Sequence, residues 1–129
     1  HSDFRPANLF VHEGKTKLLD FDDCGFGWYL YDLASSMTFL ELHEQRDEII
    51  HSWLDGYLEV APLSEADLAE IPVFMLLRRL VIMGWAGSHP DTELAQEMGV
   101  QYTIDTIEFA KQYLANQVFD HQSLYKKGA

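Results

Sequence analysis

Asp3, Asn8 and Asp20 are the residues of this chain whose types and spacing can do chemistry together. Moving a phosphoryl group from a nucleoside triphosphate to an alcohol needs a carboxylate that orients the attacking hydroxyl and takes its proton. It also needs hard oxygen donors that hold Mg2+ against the phosphates. Asp3 offers the first, within His1-Ser2-Asp3-Phe4-Arg5-Pro6-Ala7-Asn8. Asn8, five residues on, and Asp20, twelve further in Leu18-Leu19-Asp20-Phe21-Asp22, offer the second. The residues thus point to ATP- and Mg2+-dependent phosphoryl transfer.

The intervening elements must bring these residues to one place. Leu9-Phe10-Val11 and Lys17-Leu18-Leu19 read as short strands around the turn Glu13-Gly14-Lys15, a hairpin that sets Asn8 and Asp20 at adjoining strand ends. Beyond the Gly25/Gly27 loop, Asp32 is suited to N-cap a helix running to about Leu42, with Leu33, Met37 and Leu40 on one face. A second helix is predicted from about Glu44 to Val60, ended by Pro62, and Ser64 with Asp67 makes a capping-box-like start for a third. Pro72 is predicted to kink or split that helix before the apolar run Val73 to Trp85. Pro90 and Gly99 bracket a short fourth helix, and the last begins near Thr103, with Ile104, Ile107, Phe109, Tyr113 and Leu114. The predicted fold class is mainly α with a small β-hairpin. Residues 1–29 form the catalytic loop, hairpin and metal-binding loop, residues 30–119 a helical acceptor-side subdomain, and residues 120–129 a polar, frayed tail.

The order Asp-x-x-x-x-Asn, hairpin, Asp-Phe matches what protein kinases write as H-R-D-x-x-x-x-N and D-F-G. With Asp22-Asp23-Cys24-Gly25-Phe26-Gly27 and Tyr31-Asp32-Leu33-Ala34, the chain resembles the C-terminal lobe of aminoglycoside phosphotransferase/choline kinase-like proteins, which have the protein-kinase-like fold. Leu77-Arg78-Arg79-Leu80 and Gly84-Trp85 bring it nearest to the bacterial homoserine-kinase-like and stress-response Ser/Thr kinase-like branch. The resemblance implies that Asp3 is the catalytic base and that Asn8 and Asp20 are the Mg2+ ligands at the ATP site. It implies that His1 organises the loop and that Asp32 bonds the catalytic-loop backbone. Arg5 and Asp22 are further candidates, Asp22 for metal proximity. The chain departs from the family pattern at Ser2 and Ala7, where Gly is frequent, at Arg5, where His is frequent, and at Trp28, where Pro or a small residue is expected.

No glycine-rich loop, strand Lys or helix Glu of a nucleotide-binding lobe is found, and the chain starts at His1 rather than Met. The expectation is the back half of a longer kinase, inactive alone for want of its N-terminal lobe. Its exposed face would favour a homodimer. The acceptor, a small-molecule or protein hydroxyl, stays open. A non-catalytic binding module or pseudokinase fragment shares the same fold. A remoter alternative makes Asp20 and Asp22 the nucleophile and acid/base of an Mg2+-dependent phosphatase. That alternative needs alternating strands and helices and leaves His1 to Asn8 unexplained.

Composition narrows the partners. A net charge of −12 with nine Lys and Arg argues against a nucleic-acid surface. The acids Glu41, Glu44, Asp47, Glu48, Glu59, Glu65, Asp67 and Glu70 read as solvated helix faces. No uninterrupted apolar run is long enough for a bilayer, the single Cys24 excludes an internal disulfide, and the kinase reading implies the cytoplasm. The other histidines (His12, His43, His51, His89, His121) show no zinc-ligand spacing. Arg78 and Arg79 are read as one snorkelling stem and one salt bridge. Trp53, Tyr57, Phe74 and Trp85 are read as core, with Trp85 and Trp28 as alternative pocket residues.

Overall fold

The computed structural model describes residues 1–120 and 122. The tail predicted from Asp120 onward, with His121, therefore lies outside the described residues except for Asp120 and Gln122. The described residues are mostly helical, with one two-stranded antiparallel hairpin among them.

Strand β1 (Leu9–His12) pairs with β2 (Lys15–Leu18), Leu9 opposite Leu18 and His12 opposite Lys15. The two-residue connection Glu13-Gly14 has φ of 50° and 71°, as a type I′ turn demands. The second strand thus ends one residue earlier than predicted. Leu19 N still donates to Asn8 C=O at 2.9 Å, which ties the two strand ends together.

Five helices follow among the described residues. Helix α1 (Tyr29–Ser36) begins three residues before Asp32, with Trp28 at its N-cap. Asp32 is therefore not the cap, and its carboxylate is free to reach sideways. Trp28 has φ −74°, an angle Pro would also adopt, so Trp where Pro or a small residue was expected keeps such a backbone path. Helix α1 is shorter than predicted because Met37 to Leu42 are turns, with Phe39 at φ 70°. Helix α2 spans Arg46–Leu58 and α3 spans Glu65–Ala69, the latter opened by a complete Ser64/Asp67 capping box. Pro72 lies in the first turn of α4 (Ile71–Ser88), where its missing N–H costs nothing, so α3 and α4 are separate helices. Helix α5 (Glu93–Leu114) starts after Thr92, whose side chain accepts from Ala95 N, rather than at Pro90. Its path breaks at Gly99 (φ 51°, ψ −156°), the expected interruption.

Helix α4 packs between α1 and α5. Leu33, Met37, Ile50, Leu54, Ile71, Met75 and Phe109 are wholly buried around this axis, each contributing roughly 1.5–3 kcal/mol of transfer free energy. With 18 residues and mean hydropathy 1.3, α4 is apolar and long enough to cross a bilayer. Its middle, however, carries Arg78 and Arg79, both paired inside the domain, so its apolarity here is that of a core helix. Trp53 and Phe74 only pack against the core from partly buried positions, and Trp85 stacks on His89 (5.1 Å).

Candidate active site

The loop His1 to Asn8 is held from below by α1. Asp32 Oδ1 accepts from Ser2 N at 2.7 Å, Asp32 Oδ2 accepts from His1 N at 3.0 Å, and Ser35 Oγ accepts from Phe4 N at 2.8 Å. Three successive anchors on one helix turn leave the Asp3 peptide little freedom. Ser2 has φ 62°, a left-handed conformation that Gly adopts without strain. Ser2 tolerates it while its hydroxyl donates to Asp23 C=O at 2.5 Å, tying the His1–Asn8 loop to the loop after Asp20.

His1 does the same from the other side. Its Nε2 lies 2.9 Å from Leu19 C=O, which can only accept, and Asp3 N donates to Nδ1 at 3.3 Å. The two contacts together select the neutral tautomer with the proton on Nε2. The ring also packs on Phe21 at 4.8 Å. His1 thereby bridges the peptide of Asp3 to the residue preceding Asp20.

Asn8 is buried in the short 3₁₀ turn Pro6–Asn8. Its Nδ2 donates to Asp3 C=O (3.0 Å) and to Asp3 Oδ2 (2.8 Å). Because the amide nitrogen is spent on Asp3, its Oδ1 oxygen remains uncommitted. Asp20 is exposed, has φ 61°, and makes no side-chain hydrogen bond or ion pair among the described residues. An amide oxygen and a carboxylate, both unengaged and both beside the Asn8–Leu19 backbone link, are donors that fit Mg2+. Asp22 and Asp23 are exposed on the same loop. Among the described residues no three His, Cys, Asp or Glu side chains cluster as a metal site of their own, so phosphate oxygens and water would complete any Mg2+ shell here.

Asp3 itself is enclosed by cations. Arg5 Nε donates to Oδ2 at 3.0 Å, and Arg78 Nη2 donates to Oδ1 at 2.5 Å. Arg78 is 5% exposed and Arg79 2%, so neither snorkels; Arg79 forms a buried ion pair and Arg78 one with the partly exposed Asp3. Arg79 Nη1 bonds Glu41 Oε2 at 2.8 Å, and its other nitrogens reach Thr106 Oγ1 and Tyr102 C=O. Glu41, read from its spacing as a solvated acid, is instead wholly buried. Burial raises its pKa above the usual carboxylate range, with Arg79 pulling the other way. Sequence reasoning also missed Ser35 and Arg78. Only an Arg pair in the middle of an otherwise apolar helix hinted that charge was being satisfied inside.

A cleft of about 670 Å³ opens beside this loop, lined by Ser2, Asp23, Phe26, Trp28, Tyr31 and Asp32 among others. Trp28 is 70% exposed and contacts Phe74 (5.8 Å). Trp85 does not line this cleft.

A profile of the Phosphotransferase enzyme family matches residues 1–64, the segment that carries Asp3, Asn8, Asp20, Asp32 and Ser35 but not Arg78. A solved structure, the microcompartment-associated aminopropanol kinase, matches with TM-score 0.79 and 36% identity over 90% of this chain. The chain belongs to the kinase-like phosphotransferase family. This family member is also similar to amicoumacin kinase of Bacillus subtilis, 28% identical over 65% of the chain, and to an uncharacterized protein of Deinococcus radiodurans, 37% identical over 65%. It spans 37% of the aminopropanol kinase, 28% of amicoumacin kinase and 26% of the Deinococcus protein. The fold is that of the kinase-like neighbour, which leaves no place for the alternating strands of the phosphatase alternative.

Proposed function

We propose that this chain is the acceptor-side catalytic lobe of an ATP-dependent kinase that phosphorylates the hydroxyl of a small amine-bearing alcohol. The observation that carries the reading is the pairing of Asn8 Nδ2 with Asp3 Oδ2 at 2.8 Å, supported by the bonds of Leu19, the residue before Asp20, to Asn8 and His1. Asp3 aligns the acceptor hydroxyl and takes its proton as the oxygen bonds to the γ-phosphorus and the bond to the β-phosphate oxygen breaks, releasing ADP. Arg5, only two residues from Asp3 and partly exposed, is the partner of Oδ2 that the acceptor displaces. Asn8 Oδ1 and Asp20 would hold Mg2+, which when bound neutralises charge on the phosphates.

The acceptor class rests on two supports. One is the named substrates of the aminopropanol and amicoumacin kinases. The other is the cleft beside the loop, where Phe26, Trp28 and Tyr31 stand with Asp23 and Asp32, the side chains that receive an ammonium. The glycine-rich loop and nucleotide-pairing Lys belong, on this reading, to the remainder of a longer protein, and the reaction's need for ATP puts that protein in the cytoplasm.

Calorimetric titration of Mg-ATP into this chain, beside its Asp20→Ala form, tests the metal half-site. Binding heat that disappears in the variant supports it. Equal binding by both proteins would remove Asp20 from the metal site.

A further inference from the structure

We infer that Arg78 is the positioning residue that aims the Asp3 carboxylate, resting on the reading of Asp3 as the base. Four bonds place it. Its Nη2 holds Asp3 Oδ1, its Nη1 holds Ser2 C=O at 3.2 Å and reaches Tyr31 OH at 3.4 Å, and its Nε donates to Thr38 Oγ1 at 3.0 Å. The guanidinium also lies over the Tyr31 ring at 5.8 Å. One planar group thus joins α4, α1 and the turn after it to both the backbone before Asp3 and the side chain of Asp3.

The two oxygens of Asp3 are held unequally, and that difference assigns the roles. Oδ1 is bonded to a guanidinium that is itself fixed by three other groups and buried. Oδ2 is bonded to Asn8, which is buried, and to Arg5, whose side chain is 30% exposed and anchored by a single contact. Arg78 therefore pins one oxygen while the other faces the side from which an acceptor comes. A rigid fork is needed for this, because a Lys ammonium carries its three donors on a single nitrogen at the end of a flexible stem and cannot span Thr38, Ser2 and Asp3, which Arg78 reaches with three separate nitrogens.

Arg79 provides the internal control. It sits on the same helix and is also buried and ion-paired, but its partners are Glu41, Thr106 and Tyr102 rather than Asp3. A residue that matters only for folding should behave like Arg79.

The test is a double-mutant cycle on ATP-dependent phosphorylation of aminopropanol by the whole protein, with wild type, Arg78→Lys, Arg78→Gln, Asp3→Asn and Asp3→Asn/Arg78→Gln. The expected result is a kcat loss of roughly 10- to 100-fold for Arg78→Lys and more for Arg78→Gln, with KM for ATP within about twofold. In the Asp3→Asn background the Arg78→Gln change should cost less than about twofold, since Arg78 acts through Asp3. The Glu41→Leu/Arg79→Met pair, which removes the neighbouring ion pair whole, should leave kcat unchanged. Arg78→Lys that folds and keeps wild-type kcat while Asp3→Asn is inactive, or Arg78 effects that add fully to Asp3→Asn, overturns the inference and spares the base assignment. Full activity in Asp3→Asn overturns both.

Discussion

Removing the Arg79 guanidinium is the sharpest test of how the interior is balanced. Glu41 is 0% exposed and its Oε2 takes a 2.8 Å bond from Arg79 Nη1, so Arg79→Met strands a carboxylate where water cannot reach it. A buried charge left without its partner costs about 3–5 kcal/mol, a large share of the roughly 5–15 kcal/mol that holds a domain of this size. The stranded group can escape by taking a proton. Glu41 already has its pKa raised by burial against the pull of Arg79, and losing Arg79 raises it further. A carboxyl whose folded pKa exceeds its unfolded value is relatively most stable below the unfolded value, about 4.5, and loses that advantage as pH rises through the folded value. The wild type shares this slope only up to its own lower midpoint. The Arg79→Met penalty should therefore be largest near neutrality and shrink on acidification, by up to about 1.4 kcal/mol per pH unit. Glu41→Leu/Arg79→Met, which leaves no buried charge, should recover most of the loss. Urea unfolding at a series of pH values with constant m gives all these numbers. A penalty independent of pH, or a double variant as unstable as Arg79→Met, would refute the reasoning.

Other changes have equally definite outcomes. Asp32→Ala removes the acceptor of Ser2 N and should lower kcat of the whole protein by at least tenfold while KM for ATP changes little, read by steady-state kinetics. Ser64→Ala breaks the capping box of α3 and should cost about 1 kcal/mol in urea unfolding. Gly99→Ala places a Cβ in open space, so any loss comes from φ 51° alone; about 1–3 kcal/mol is expected, and a stability equal to wild type would mean the helix break relaxes.

The local signals were the legible ones. The Asp3–Asn8 pair, the hairpin and the Ser64/Asp67 box are set by neighbours in sequence, and the structure shows the pair, the box and a hairpin whose second strand starts two residues earlier and ends one residue earlier than expected. Helix ends were less legible where a cap is a backbone angle rather than a side chain: Trp28 starts α1 with no side-chain bond, so Asp32 drew the cap assignment instead. Long-range pairing was illegible. Arg78 reaches Asp3 across 75 positions and Arg79 reaches Glu41 across 38, and nothing in helical spacing distinguishes a buried Glu41 from the exposed acids around it. Only the packing of α4 between α1 and α5 brings those charges inside.

The central claim is that Asp3 serves phosphoryl transfer to an alcohol, and the most direct measurement is Mg2+-dependent transfer of the γ-phosphoryl of ATP to aminopropanol by the whole protein, wild type beside Asp3→Asn. The account predicts phosphoaminopropanol formation that falls by about a thousandfold or more in the variant, with ATP affinity nearly unchanged. Equal transfer by the two proteins would contradict it.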